Sequence, residues 1–269
     1  MARPRGLVVY MSDFGWSDPY AGIVRGVVET LSGGRVKLID LTHDVPSFSV
    51  LAGAYVLYTS YRWFPEGTVF LAVVDPGVGT ERKPVAIETR RYFFVGPDNG
   101  LLYPAAAEDG IVRVHAIDSP AVHLKPVSMG FHGRDIFAPA AALLALGTPI
   151  EAMGTALDPA GLQRLSLRRP CEAQRVEAQV VYIDHFGNTA LGLEPGCVEK
   201  LCSASGRIVA AAGHGRWEAR CRSVFSHGEP GELVFYLNSL GFPELAVNLG
   251  SAAKELGLEV GDMVILEPA

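Results

Sequence analysis

No stretch of this 269-residue chain approaches the roughly 18 apolar residues in a row that a membrane-spanning helix needs. The opening Met1–Gly6 is basic, but the apolar run after it, Leu7–Met11, is too short for the core of a secretory signal and gives way to Asp13. Basic residues are outnumbered, 23 against 29 acidic, for a net charge of −6. A nucleic-acid backbone calls for a basic surface, so it is not the expected partner. The densest basic segment, Arg164–Arg169, reads as a solvated linker. Cysteine is scarce: Cys171, Cys197, Cys202 and Cys221 form no C-x-x-C pair, which argues against a Cys-only zinc site and leaves thiols in a reducing compartment as the expectation. There is no G-x-G-x-x-G, so a pyrophosphate ligand lacks support. There is also no H-E-x-x-H or similar run, so no metal is expected, despite His43, Asp44, His132, Asp135, Asp184 and His185. Internal repeats and low-complexity tracts are absent too. These absences predict a cytoplasmic protein whose partner is a small molecule, not a membrane or a nucleic acid.

What is present is a large apolar share, 49%, enough for the core of one large or two modest domains. Leu7–Met11 reads as a buried strand. A helix opened by Pro19 follows, with Tyr20, Ile23, Val24, Val27, Val28 and Leu31 at helical spacing and Gly33-Gly34 as its stop. Val36–Leu41 is a second strand, Val50–Tyr61 a buried helix and Thr68–Val74 a third strand. Strands alternating with helices imply a parallel sheet with helices on its faces. Lys83–Thr89 and Arg91–Val95 look like a hairpin, Val112–Ile117 a short strand and Asp135–Leu146 a helix. After about Pro170 the segments shorten and alternate (Arg175–Ile183, Gly206–Ala212, Glu232–Leu237, Met263–Leu266), as in a small antiparallel barrel. The predicted class is α/β: an N-terminal domain over residues 1–166 with a mostly parallel sheet flanked by helices, and a smaller C-terminal antiparallel β-barrel domain over residues 172–269.

The third strand ends abruptly at Asp75, and Pro76, Gly77 and Gly79 then force a turn. An acid on a Gly-rich loop at the carboxyl end of a buried strand is where open α/β sheets keep their sites. Arg82 follows seven residues later, and Phe131-His132-Gly133-Arg134-Asp135 comes about fifty residues on. Asp75 alone reads equally well as a turn-capping residue; Asp75, Arg82 and His132 together point to chemistry. Asp13, at the end of the first strand, suits a ribose diol or a cap ahead of Pro19. Asp184, Phe186 and Asn188, packed round Gly187, suit a ligand that is part amine and part ring, or a plain hairpin turn. On apolar grounds Phe48 is a core residue.

Four motifs in order carry a resemblance over nearly the whole chain: the opening SDFG-x-x-D-x-Y, the DPGVG-T-x-R loop from Asp75 to Arg82, FHGRD from Phe131 to Asp135, and IDHFGN from Ile183 to Asn188. Together they resemble the S-adenosylmethionine hydroxide adenosyltransferases, relatives of the S-adenosylmethionine-dependent fluorinases and chlorinases. The resemblance implies the same division into α/β domain and barrel, and trimers with the pocket between neighbours. It places the ribose-binding acid on Asp13, a second acid on Asp18, pocket residues on Asp184, Phe186 and Asn188, and a contact to the methionine end on Ser239. Phe48 falls where the halogenating relatives have Trp, and Phe131 and Gly133 join the substrate-binding set. Two departures stand out. Leu240 replaces an Arg of the halogenating relatives, and Gly133 replaces their halide-binding Ser.

The expected reaction is attack of water on the ribose 5′ carbon of S-adenosylmethionine, giving adenosine and L-methionine. No cofactor is expected, since S-adenosylmethionine is the substrate and its sulfonium leaves as a neutral thioether. The expected catalytic residues are Asp75 as orienting base, His132 as proton relay and Arg82, helped by N–H groups of the Gly77–Thr80 loop, as stabiliser of developing charge. Rival readings are a halide-using 5′ transferase, a binding protein without turnover, and a metal-dependent phosphoesterase.

Overall fold

The first strand, β1 (Leu7–Ser12), is buried along its whole length. It lies between two parallel neighbours, β2 (Lys37–Thr42) and β3 (Val69–Val73). The computed structural model describes residues 2–172, 174–213 and 215–269. Contacts divide the chain between Leu165 and Ser166 into two units. In the first unit α1 (Tyr20–Ser32) and α2 (Val50–Ser60) connect these strands, and β4 (Pro84–Thr89), β5 (Phe93–Pro97), α3 (Tyr103–Asp109), β6 (Ile111–Ala116), α4 (Ala138–Ala145) and β7 (Ala156–Leu157) follow. The sheet order is β2-β1-β3-β5-β4-β6-β7. The β2, β1, β3 and β5 pairings are parallel, whereas β4, β6 and β7 join antiparallel. The sheet is therefore mixed rather than mostly parallel. The short Arg90–Tyr92 link between β4 and β5 permits only a hairpin, because a parallel return needs a crossover of a dozen or more residues.

The register sets up the site. Ser12 at the end of β1 pairs with Val73 at the end of β3. The loops carrying Asp13 and Asp75 thus leave the same edge of the sheet side by side. Helix α1 covers the sheet through Ala21, Val24, Val28 and Ser32. The apolar stripe read from the sequence is wider than the face that packs: Tyr20, Ile23 and Leu31 are exposed. Gly33, at φ 57, accepts the left-handed turn that ends the helix.

The second unit holds β8 (Val176–Ile183), β9 (Thr189–Leu191), α5 (Gly196–Cys202), β10 (Arg207–Ala212), β11 (Gly215–Cys221), β12 (Leu233–Leu237), β13 (Pro243–Val247), α6 (Ala252–Leu256) and β14 (Met263–Pro268). Its strands close into a barrel in the order β10-β11-β12-β13-β9-β8-β14. Every pairing is antiparallel except β11 with β12. Alternate residues such as Ala178, Val180, Ile208, Ala210, Phe235, Leu245, Val264 and Leu266 fill the interior. Of the supposed solvated linker, Leu167 is buried and Arg168 lies over the Phe242 ring.

The cysteines are not thiols. Cys171 pairs with Cys197, and Cys202 with Cys221, at Cα separations of 5.6 and 6.0 Å. The linear spacing hid this, because the partners meet only once α5, which carries Cys197 and Cys202, is laid against the barrel. The closed loops, with sequence separations of 26 and 19 residues, are each worth ~3–4 kcal/mol on chain-entropy grounds. Dithiothreitol should therefore lower the melting transition of the barrel in calorimetry and leave that of the α/β unit in place. Four titratable thiols in unreduced, denatured protein would contradict the pairing.

Candidate active site

The loop after β3 is built to turn back on itself. The N–H of Val78 donates to the Asp75 carbonyl at 3.2 Å, and that of Thr80 to the Gly77 carbonyl at 3.1 Å. Gly79, at φ 78, comes so close to the next segment that a Cβ there would sit 2.8 Å from the Met129 carbonyl oxygen. These turns spend two of the N–H groups expected to stabilise developing charge. They also fold Arg82 over Asp75. The Arg82 Nε donates to both carboxylate oxygens at 2.9 and 3.0 Å, and Nη2 donates to Oδ2 at 2.5 Å. The two side chains are only 9% and 6% exposed, so the pair is shielded from water.

The same Nη2 lies 2.8 Å from His132 Nδ1. His132, fifty positions beyond Arg82, thus joins the Asp75–Arg82 pair in one continuous unit, Asp75–Arg82–His132. An arginine stays protonated, so Nδ1 must supply the lone pair and the neutral ring carries its proton on Nε2. Burial, and after it the Arg82 charge, holds the His132 pKa below the ordinary histidine value. A relay through His132 does not fit this arrangement: Nδ1 is occupied by Arg82, and Nε2 already bears hydrogen. Nη1 of Arg82 is buried and has no hydrogen-bond partner among the described residues. Phe137, whose ring centre lies 5.2 Å from the guanidinium carbon, backs the group on one side.

His132 precedes a single π-helical turn, Gly133–Phe137, at the head of α4. The neighbouring charges of FHGRD take no part in the site. Arg134 donates to the buried Asp135 at 2.6 and 2.8 Å, and Asp135 also accepts the Ser128 N–H at 2.8 Å. Burial pushes the Asp135 pKa up, but these bonds outweigh it and hold the carboxyl below the usual range. Asp135 thereby ties the approach to His132 onto the helix.

A cavity of about 340 Å³ opens beside this unit, lined by Asp13, Asp18, Phe48, Asp75, Phe131, His132 and Gly133, with Phe14 and Tyr20. That volume lies within the range of small-ligand pockets. Phe14 and Tyr20 meet Phe131 with ring centres 6.0 and 5.4 Å apart, giving an aromatic wall. Both belong to the opening SDFG-x-x-D-x-Y motif, yet neither is among the expected substrate-binding residues, and Tyr20 reads in the sequence as part of the helix stripe. Asp13 accepts the Phe48 N–H on Oδ2 at 2.8 Å, and burial raises its pKa against that bond. Phe48 is not a core residue: it is 72% exposed, and its backbone is left-handed at φ 64. Holding a non-glycine residue there costs on the order of 1–3 kcal/mol, which the Asp13 bond helps to offset.

The remaining candidates lie in the barrel unit. Asp184 accepts hydrogen bonds from the Phe186 N–H, the Asn188 N–H and the Asn188 side-chain amide, all at 2.9 Å. Asp184 and Asn188 therefore meet and lock the β8–β9 turn, leaving Phe186 exposed. Gly187 has φ 87, and a Cβ there would collide with Ser251. Ser239 is exposed on the β12–β13 loop, which Asn238 shapes by accepting the Leu240 and Phe242 N–H groups at 3.0 Å. Among the described residues no hydrogen bond joins Ser239 to Asp184 or Asn188. No group of three or more His, Cys, Asp or Glu side chains that could hold a metal ion occurs among them either.

An acid, a guanidinium and an imidazole thus stand beside a cavity with an aromatic wall, on an α/β unit that a barrel unit follows in the chain. Residues 8–154 match the SAM hydroxide adenosyltransferase N-terminal domain, and residues 178–265 match the C-terminal domain of that name. The chain belongs to the SAM hydroxide adenosyltransferase family. A relative from Salinispora tropica, named (R)-S-adenosyl-L-methionine hydrolase, is 41% identical, the match covering 96% of this chain and 97% of the relative. A more distant relative from Nocardia brasiliensis, named fluorinase, is 28% identical over 96% of this chain and 95% of its own. The crystal structure of an uncharacterised conserved protein from Thermotoga maritima superposes with a TM-score of 0.87 at 34% identity, covering 97% of this chain and 99% of the other.

Proposed function

We propose that this enzyme hydrolyses S-adenosyl-L-methionine at the ribose 5′ carbon, releasing adenosine and L-methionine. The observation that carries the reading is the shielded Asp75–Arg82–His132 unit, whose Asp75 and His132 line the cavity. The water oxygen bonds to C5′ as the C5′–S bond breaks, and the electron pair of that bond returns to sulfur as the thioether of methionine. Water's own pKa lies far above neutrality, and one neighbouring cation lowers a pKa by only about 1–3 units, so no standing hydroxide forms. Asp75 takes the proton during attack instead. Arg82, with Nη1 still unspent, and the His132 Nε2–H hold the oxygen in line. Asp13 grips the ribose diol with Asp18 beside it, and Phe48, Phe131 and Gly133 bound the adenosine. Asp184, Phe186, Asn188 and Ser239 receive the methionine end.

That last assignment requires the barrel motifs and the α/β cavity to converge on one ligand. We infer a homotrimer with the pocket at the subunit contact, and the exposed second stripe of α1, Tyr20, Ile23 and Leu31, is available for burial in it. Sedimentation should report a trimer that retains activity on dilution to assay concentration; a fully active monomer contradicts it.

The decisive assay incubates the protein with S-adenosylmethionine and chloride in water enriched in oxygen-18. Adenosine carrying the heavy oxygen at the 5′ position is expected. A 5′-chloro nucleoside would instead identify a halide-using transferase, and no product at all would identify a binding protein. Because the named relatives are hydrolases of the (R) sulfonium epimer, the same assay should favour that epimer.

The pH dependence follows from His132. Its neutral form accepts from Arg82, and protonating Nδ1 would set two cations against each other. With the pKa depressed by burial and by Arg82, the neutral form persists below the ordinary histidine range of about 6.5. Activity should therefore fall on the acid side only below that value, and a kcat/KM profile locates the limb. A limb at or above 6.5 would contradict the contact.

A further inference from the structure

Beneath the ribose-binding loop lies a second chain of polar groups that the reaction does not use. Ser12 and His43 are both fully buried. Ser12 Oγ lies 2.7 Å from His43 Nδ1, and His43 Nε2 lies 3.0 Å from Asp40 Oδ1. The other oxygen of Asp40 faces Arg25 of α1 at 3.4 Å. The set contains the members of a hydrolytic triad but not its geometry. Ser12 has no exposed surface, its Oγ also takes the Phe14 N–H at 3.4 Å, and the carboxylate sits on Nε2. No substrate reaches this serine.

Its connections run instead to Asp13. The Asp40 carboxylate fixes the His43 proton on Nε2, so Nδ1 accepts from the Ser12 hydroxyl. The His43 carbonyl accepts the Gly15 N–H at 2.7 Å, and the Ser12 carbonyl accepts the Val45 N–H at 3.4 Å. Asp13 is thus bracketed by Ser12, Phe14 and Gly15, all held by the His43 segment directly or through Ser12. The rings of Tyr10 and Trp16 pack on the imidazole at 4.4 and 4.6 Å, leaving it one orientation. Just here the β1–β2 register slips, Tyr10 pairing with Asp40 but Met11 with Thr42, so the backbone ladder cannot fix the loop unaided.

We propose that His43, held between Ser12 and Asp40, is a positioning residue that aims the Asp13 carboxylate at the ribose diol. This rests on Asp13 being the diol ligand, as in the reading above, and it adds that His43 sets the site's preference for that diol. Charged hydrogen bonds of this kind are worth roughly 10- to 100-fold in affinity. The test is calorimetric binding of adenosine and of 2′,3′-dideoxyadenosine to the full chain. Wild type should prefer adenosine by that factor. His43→Phe, which keeps the ring volume and removes both hydrogen bonds, should lose most of the preference with little change for the dideoxy nucleoside. His43→Gln, with one donor and one acceptor, should recover part of it. Combining His43→Phe with Asp13→Ala should cost no more than Asp13→Ala alone. Equal weakening toward both nucleosides, or additive losses, would reduce His43 to a structural role and overturn the proposal. So would a wild type without the preference. If His43→Phe does not fold, Ser12→Ala severs the same chain at its last link and the same ratio decides. Adenosine release from S-adenosylmethionine is scored separately, so a chain that keeps the diol preference but does not turn over refutes hydrolysis and leaves this inference standing.

Discussion

Asp75→Asn is expected to lower kcat by about 10²- to 10⁴-fold, the usual contribution of a positioned general base, while KM changes only a few-fold. Arg82 engages both oxygens of Asp75, yet an ionised carboxylate offers about four lone-pair sites, so one remains for a water proton. Asparagine preserves shape and one acceptor for Arg82 but removes the charge and the basic lone pair. The substrate's adenosine end, held in this reading by Asp13 and the aromatic wall, is left alone, which is why KM should hold. Asp75→Ala is a poorer probe. It abandons a guanidinium that is only 9% exposed, and breaking a buried pair costs roughly 3–5 kcal/mol of stability. A melting curve beside the kinetics separates the two effects. Unchanged turnover in a folded Asp75→Asn protein would remove the carboxylate from the proton's path.

How far the sequence could be read differs from residue to residue. Asp75 stands out because a buried apolar strand stops there at an acid, a proline and two glycines, although alone it reads equally well as a turn cap. That Arg82 and His132 join it was an expectation from motif and order; the bonds themselves depend on the Gly79 close approach, which spacing does not encode. The direction of the imidazole was out of reach altogether. Only the distance from Nη2 to Nδ1 reveals that His132 presents a donor to the cavity. Phe48 misled because apolarity predicts burial on average, whereas here an Asp13 bond holds the residue left-handed at the rim. The cysteines misled for a related reason: a pairing between a linker, a short helix and a strand end exists only in three dimensions. The link between Ser12, His43 and Asp40 escaped notice because each looks like ordinary strand-end polarity until β1 and β2 are laid side by side.

Arg82→Lys should be nearly as damaging as loss of the base, with kcat falling by about 10²- to 10³-fold, the cost of removing one well-placed donor to developing charge. The guanidinium performs three tasks from one plane: Nε and Nη2 grip Asp75, Nη2 also reaches His132, and the face lies against Phe137. An ammonium is a point donor on a flexible stem and cannot hold a carboxylate on two sides while occupying an imidazole nitrogen. With Nδ1 released, the neutral His132 proton is no longer confined to Nε2, and the ring ceases to be a fixed donor. Arg82→Gln carries this further and gives the prediction a sign. Removing the cation removes the second-largest of the causes that depress His132, after burial, while the Asp75 charge, which raises it, remains. The acid limb of whatever activity remains should then move to higher pH in Arg82→Gln, whereas in Arg82→Lys, where the positive charge survives, it should stay near its wild-type position. A limb that moves equally in both variants, or in neither, would mean that Arg82 and His132 do not share a hydrogen bond in the working enzyme.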